Sequence, residues 1–532
     1  MAPRILLVNP KFPMQHPPLG LGYLSSYLKK YIGAPVEVRL FDETIGGDVL
    51  SLVREFKPDL IGISVVTPTF KRAVSLCEQI RTITAVPIIA GGVHVTAFPE
   101  CLQGSPFEVG VAGEGEATFL ELVQHYLETG NIKNENIRGI VFKENGHIVR
   151  APPRPLISDM DSIPPPDRRL FDMKHYTRPG RMAHGMYAKG TSMMPSRGCP
   201  YRKCDFCSSS LIWGDKVRFF TPRYVANELE SIVDEYGLNF IIFLDDNFTT
   251  RLKWLEELAV LLKEKGLTER IRFDCESIAA FMSDSRAELL KKMGCVRIEF
   301  GFESGSPRIL KILKAGKARI EHNEKAIAIC NRHGILSLGN VILGYIDETP
   351  AEFKESQDWF FGQPIDYIAP HLYTPYPGTP GWEKATALGL IKPDEMDGEL
   401  FQTGAGKHNL VVNTIFAPGE IEMNLTALNR DVARRNKILV IDRGLSLKER
   451  IILYNEAYLE KDGLVIIESK SPLAKLCFSC SPLMRRFSMI HGDILGALRS
   501  NYPNLYSLLR YIKHVPGKAG DALRRRTGEC SS

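Results

Sequence analysis

The chain has 532 residues, enough for two or three domains, and its 44% hydrophobic and 24% charged residues allow sizeable cores. A formal net charge of +5 does not argue for a nucleic-acid binder, and no apolar run reaches the about 18 residues that span a bilayer. Eleven cysteines and no basic-then-apolar leader predict a cytoplasmic protein with reduced thiols, where clustered cysteines hold metal rather than pair as disulfides.

The first part of the chain alternates short apolar runs with helical patterns. Strands are expected at Ile5–Val8, Val36–Leu40, Leu60–Val65, Val86–Ala90 and Phe107–Val111. These near-continuous apolar runs suit parallel strands buried on both faces. Leu21, Leu24, Leu28 and Tyr31 repeat at helical spacing, as do Phe70, Ala73, Val74 and Cys77. The alternation predicts a doubly wound parallel-sheet α/β domain over residues 1–145. Gly-rich turns at Gly91-Gly92 and Gly113-Glu114-Gly115-Glu116 follow two of the strands, where open α/β sheets bind ligands. The full GxGxxG pattern is missing, so a dinucleotide is a weak reading, and no phosphate loop is present.

Six prolines between residues 151 and 170 support neither helix nor central strand, so 146–185 reads as a linker or surface strap. From 186 to 385 the alternation resumes. Strands are expected at Thr191–Ser196, Phe240–Leu244, Ile271–Cys275, Val296–Phe302, Ser337–Leu343 and Tyr367–Leu372, which fits a complete or partial (β/α) barrel. Residues 386–532 are expected to be mainly helical, with helices around 446–459 and 483–513. Residues 481–532 carry nine Lys or Arg against three Asp or Glu, ending in Arg524-Arg525-Arg526. A basic amphipathic helix there fits either a packed C-terminal helix with a solvated end or peripheral contact with an anionic membrane. Cys477 and Cys480 form a further two-residue-gap pair, weak by itself.

The segment Ser196-Arg197-Gly198-Cys199-Pro200-Tyr201-Arg202-Lys203-Cys204-Asp205-Phe206-Cys207 follows the first expected barrel strand. Loops at strand C-termini are where barrels keep their chemistry. Cys thiolates ligate iron–sulfur clusters, and a 4Fe-4S cluster uses four. Three local thiolates leave one iron open. The competing reading is structural zinc, closed by a fourth ligand such as His184, Cys275 or the Cys477/Cys480 pair.

On these residues the chain resembles the radical S-adenosylmethionine superfamily, and more narrowly its members with an N-terminal cobalamin-binding domain, over about residues 1–385. The family usually shows CxxxCxxC. This chain has CxxxxCxxC, one residue longer in the first gap with the same ligand count. The resemblance implies three cofactors: a 4Fe-4S cluster on Cys199, Cys204 and Cys207, S-adenosylmethionine and cobalamin. It implies that Asp245, Asp246 and Asn247 lie near the methionyl amine and Glu303, Ser304, Gly305 and Ser306 beside the ribose. It places Gly344 on the strand against adenine, and Tyr373–Pro380 at the closing barrel segment. For cobalamin it implies Asn9, Gly20, Ser64, Thr67, Gly91, Gly92, Gly113 and Glu114. The DxHxxG motif is absent, so it implies a cobalamin without a protein His ligand, and His16 and His94 read as strap and loop residues.

The implied reaction is methylation of an unactivated carbon through a 5′-deoxyadenosyl radical. It would act on a small-molecule or lipid-like substrate, with an external electron donor. The alternatives are radical cyclisation or rearrangement with cobalamin in redox, and a cobalamin or iron–sulfur sensor without turnover.

Overall fold

A computed structural model describes residues 2–12, 16–177, 180–182, 186–392, 401, 410–440 and 464–467. The expected helices at 446–459 and 483–513, His184, the Cys477/Cys480 pair and Arg524–Arg526 lie outside the described residues. The chain divides into two compact units. One is Met1–Arg178 with Lys189–Val432, and the other is Pro179–Ala188 with Ala433–Ser532.

The first unit is built on two large sheets, with a two-stranded ribbon beside the second. The N-terminal sheet has strands β1 (Arg4–Asn9), β2 (Glu37–Asp42), β3 (Leu60–Ser64), β4 (Ile88–Gly91), β5 (Val109–Val111), β6 (Ile140–Glu144) and β7 (His147–Arg150), in the order 2-1-3-4-5-6-7. Strands β1–β5 are parallel. Side chains of β1 alternate between two cores. Leu6 and Val8 pack with the helices Val49–Phe56 and Phe70–Arg81, whereas Ile5 and Leu7 pack with Leu19–Tyr31 and Gly115–Thr129. Both faces are therefore covered, which is why the strands read as unbroken apolar runs. Strands β6 and β7 form an antiparallel edge hairpin. Asn145 (φ 49°) and Gly146 (φ 78°) make its turn, as Asn-Gly pairs favour. The sheet thus runs to Arg150, five residues past the boundary expected at 145.

The second sheet contains β8 (Gly190–Met193), β9 (Phe240–Phe243), β10 (Arg272–Ser277), β11 (Cys295–Glu303), β12 (Leu336–Leu343) and β13 (Tyr367–Leu372), in chain order and all parallel. This is the partial barrel. Its connecting helices carry the expected stops and starts. Thr221 caps Pro222–Tyr236, which ends on left-handed Gly237, and Thr349 with Glu352 forms a capping box on Pro350–Gly362. The strand expected over Thr191–Ser196 is broken. The parallel ladder stops at Met193, and Ser196–Arg197 instead pairs antiparallel with Arg218–Phe219. Pro195 lacks the N–H that a continuing ladder needs.

The proline-rich stretch contains only two 3₁₀ turns, Met160–Ser162 and Arg168–Leu170. It runs as a strap tied by Asp167 to Ser25 and Lys29 and by Asp161 to Thr221. The second unit shows a four-stranded sheet. Lys437–Val440 pairs parallel with Leu464–Ile467 and Met186–Ala188, and the last of these pairs antiparallel with Gly180–Met182. No helix among the described residues is long and apolar enough to cross a membrane.

Candidate active site

Two cavities of the first unit gather the residues singled out in the sequence. One, of about 370 Å³, lies at the C-terminal ends of the barrel strands, and Cys199, Cys204 and Cys207 all line it. The extra residue between the first two cysteines is absorbed by Arg202 and Lys203. Both stand in the left-handed region at φ 48°, where bulky side chains are rare. Lys317 donates to the Arg202 carbonyl at 2.6 Å, and the Tyr201 hydroxyl donates to the Lys317 carbonyl at 3.1 Å. The inserted residue therefore bulges outward, and the three thiols still face one cavity.

The cysteine loop is pinned along its length. Asp205 donates its N–H to the Leu313 carbonyl, accepts from the Gly381 N–H, and takes the Tyr373 hydroxyl on its carboxylate. Asp245 accepts from the Ser196 hydroxyl at 2.6 Å, ahead of the first cysteine. Asp246 accepts from the Ser209 hydroxyl at 2.6 Å, after the last cysteine, and from the Gly198 N–H. Gly198 has φ +97°, and a Cβ there would stand 2.7 Å from the Lys216 carbonyl oxygen, so no other residue fits.

Burial pushes the Cys199 thiol up to about 11 and the Cys207 thiol up to about 12, and raises Cys204 as well. Such thiols ionise readily only when a metal replaces the proton. Among the described residues no group of three or more His, Cys, Asp or Glu is placed to hold a single ion. Cys275 is 1% exposed in the core of the barrel and supplies no fourth ligand. Three thiols on one wall, with no closing ligand among the described residues, fit an iron–sulfur cluster with one open iron.

The residues expected near S-adenosylmethionine divide into two groups. Asp246 and Glu303 line the cavity. Asp245 and Asn247 do not: they are 1% and 0% exposed, and Asn247 accepts from the Thr249 N–H and hydroxyl. Ser304, Gly305 and Ser306 also lie behind the wall. The Ser304 hydroxyl and the N–H groups of Gly305 and Ser306 meet Ser356 Oγ, locking the helix Pro350–Gly362 against the sheet. A Cβ on Gly305 would come within 2.6 Å of Trp359, so that glycine serves close packing. Gly344 likewise makes a turn, at φ +81°, and donates its N–H to Glu348.

Sequence reasoning missed Glu276, Glu299, Lys314, Asn340 and His371, all of which line the cavity. A signal existed. Glu299, Gly301 and Glu303 alternate along β11, and one face of a barrel strand points inward. Glu303 pairs with Lys314 at 2.6 Å, and Glu299 accepts from Arg297 at 2.8 Å. Glu276 is exposed to the cavity at the end of β10. The protein packed around its carboxylate first, then Glu299 and Asp246, raises its pKa well above the usual carboxylate value. The wall is thus rich in acceptors, which suits a ligand that brings an ammonium, a sulfonium and hydroxyls.

The other cavity, of about 420 Å³, is framed by the N-terminal sheet. Asn9, Gly20, Ser64, Gly91, Gly92, Gly113 and Glu114 line it, as does His16. A Cβ on Gly20 or Gly113 would meet nothing within 4 Å, so a large ligand can approach the backbone there. This cradle at the carboxyl ends of β1, β3, β4 and β5 fits a corrin. Thr67 is not part of it. Its hydroxyl is buried against His94 Nδ1 at 3.1 Å, and burial lowers the His94 pKa to about 4, so both are core residues. The Glu114 carboxylate is occupied by Arg197, Arg218 and the Ile157 N–H. The opposite wall belongs to the barrel: Met194, Arg197, Ile212, Trp213 and Leu244.

Comparison with known proteins agrees with this division. Residues 193–360 match the model of the radical SAM superfamily, and residues 5–123 match the B12 binding domain. The chain is 35% identical over 378 residues to an uncharacterized methyltransferase of Pyrococcus horikoshii, covering 70% of this chain and 80% of that one. It is 27% identical over 394 residues to the anaerobic magnesium-protoporphyrin IX monomethyl ester cyclase of Cereibacter sphaeroides, covering 71% and 63%. Its fold is similar to that of the cobalamin-dependent S-adenosylmethionine radical enzyme OxsB, at a TM-score of 0.67 and 17% identity over 99% of this chain and 75% of that one. The chain belongs to the radical SAM superfamily, in the group that carries a B12-binding domain and uses a 4Fe-4S cluster, S-adenosylmethionine and cobalamin.

Proposed function

We propose that this protein transfers a methyl group to an unactivated carbon of a small-molecule substrate. One observation carries the reading: the two cavities meet across one short stretch of chain. Cys207 lines the barrel cavity, and the helix that follows it, Ser209–Trp213, supplies Ile212 and Trp213 to the other wall. Cofactors held there would face each other across that helix, as a relay of a radical and a methyl group requires.

Cys199, Cys204 and Cys207 hold the cluster in this reading. Asp246 and Glu303, with Glu276 and Glu299 beside them, receive the polar groups of S-adenosylmethionine. Asn9, Gly20, Ser64, Gly91, Gly92 and Gly113 cradle cobalamin, and residues 5–150 form its domain. The bound cofactors supply one-electron cleavage of a sulfonium and a transferable methyl group. The chain orients them and excludes water, and an external donor provides the electron.

Cyclisation is the second reading, supported by the cyclase relative. Identity and coverage are both lower for that relative, 27% and 63% against 35% and 80%, which favours methyl transfer. The test needs no known substrate. Reduced, cobalamin-loaded protein given methyl-labelled S-adenosylmethionine should release S-adenosylhomocysteine. Release of 5′-deoxyadenosine alone would sink methyl transfer and leave cyclisation.

A further inference from the structure

We infer that Arg197 is a positioning residue that holds the cysteine loop against the cobalamin cavity and thereby fixes the separation of the two cofactors. The inference rests on the assignment of the two cavities above.

Arg197 stands two positions before Cys199. Its Nη1 donates to Glu114 at 2.8 Å and its Nη2 to Glu116 at 2.6 Å. Both acids belong to the Gly-rich turn after β5, and both line the cobalamin cavity. Arg218 joins from the far side, donating to the second oxygen of Glu114 at 2.9 Å. The guanidinium also lies over the rings of Tyr23, at 5.3 Å, and Trp213, at 4.9 Å. Side-chain exposures are 2% for Arg197, 3% for Glu114 and 6% for Glu116.

Such a group is a poor way to gain stability. Desolvating four charges offsets most of their attraction, and apolar side chains of similar volume often stabilise as well or better. What a planar fork between two carboxylates does provide is direction. The link onward to the cluster is stiff. Only Gly198 lies between Arg197 and Cys199, held by Asp246 at its N–H and by the Lys216 carbonyl where a side chain would be. A shift of the acidic turn is therefore passed to the first thiol.

A plain structural tie would hold the protein together without touching the chemistry, and the Lys29–Asp167 pair, which joins helix Leu19–Tyr31 to the strap at 2.6 Å and lines neither cavity, is the control for that. The test uses full-length protein loaded with cluster and cobalamin, as wild type, Arg197→Met, Arg197→Lys, Glu116→Gln and Lys29→Met. The first readout is the electron–electron dipolar coupling between cob(II)alamin and the reduced cluster. The second is 5′-deoxyadenosine formed per S-adenosylhomocysteine. The coupling distribution should broaden in the Arg197 variants and stay sharp in Lys29→Met, and the product ratio should rise at least threefold. Arg197→Lys should fall between wild type and Arg197→Met, since it keeps the charge and loses the fork. Should Arg197→Met not fold, Arg197→Lys and Glu116→Gln carry the comparison. Wild-type coupling and ratio in every folded variant would overturn the inference, whatever happens to stability. If methyl transfer itself is wrong, wild type releases no S-adenosylhomocysteine, and the dipolar readout still decides the role of Arg197.

Discussion

The Tyr373 hydroxyl donates to the carboxylate of Asp205, which ties the end of the last barrel strand to the residue that follows Cys204. Burial raises the pKa of Asp205, while the Tyr373 hydroxyl favours the charged form. Removing that donor leaves the part-buried Oδ2 of Asp205 without its hydroxyl partner. Tyr373→Phe should cost about 1–3 kcal/mol in urea unfolding. It should also lower the iron retained per chain after anaerobic reconstitution. Full iron retention would show that the cysteine loop does not need this tie.

The two acids of the Asp-Asp pair should behave differently. Asp246→Ala removes the acceptor for both Ser209 and Gly198, so the loop loses its pin at both ends and iron loading should fall several-fold. Asp245 is fully buried with only the Ser196 hydroxyl on its Oδ2, and burial pushes its pKa up to about 7. Asp245→Asn resembles the protonated acid and should keep its iron. Iron analysis of the two variants side by side checks this. Equal losses would contradict the division of roles.

Cobalamin binding can be blocked without touching the core. Gly20 is exposed on the cavity wall, and a side chain there meets nothing within 4 Å. Gly20→Trp should reduce cobalamin retained on gel filtration at least tenfold, with the melting temperature little changed. Thr67→Val should leave cobalamin in place, because that hydroxyl faces His94 rather than the cavity.

Glu348 links pH to stability. It is 0% exposed, and burial pushes its pKa up to about 7, although the Gly344 and Tyr345 N–H groups oppose the shift. The folded-state value lies above the unfolded one, so its contribution is full below about pH 4 and is lost as pH rises through about 7. Glu348→Gln keeps an acceptor for the two N–H groups and has no charge to bury. The stability of this variant relative to wild type should therefore rise between pH 5 and pH 8, by about 2 kcal/mol. A difference that does not change with pH would show that Glu348 is ionised in the fold.

Much of this was legible in the sequence because strand periodicity and cysteine spacing are local. The five parallel N-terminal strands and all six barrel strands are read from apolar runs, with ends off by a residue or two, whereas the edge hairpin of β6 and β7 is not. Only the break at Pro195 changes one of them. The three thiols need nothing but their order. The residues implied by family likeness fared unevenly for a physical reason. A motif shows which residues occur together and not which way a side chain points. Asp245, Ser304, Gly305, Ser306, Gly344 and Thr67 stand within a few residues of the cavities, but their polar groups are spent on the loops that build the walls. Glu276, Asn340 and His371 were unreadable because each comes from a different strand, and only closure of the sheet brings them together. The bond between Arg197 and the acidic turn spans 81 residues of sequence and has no local signature.

The central claim is that Cys199, Cys204 and Cys207 carry a cluster that opens S-adenosylmethionine. The most direct measurement is 5′-deoxyadenosine released by reduced, cluster-loaded protein, compared between wild type and Cys204→Ala at matched folding. Wild type should release it and the variant should release none above background. Release from Cys204→Ala at the wild-type rate, or none from a fully loaded wild type, would contradict the account.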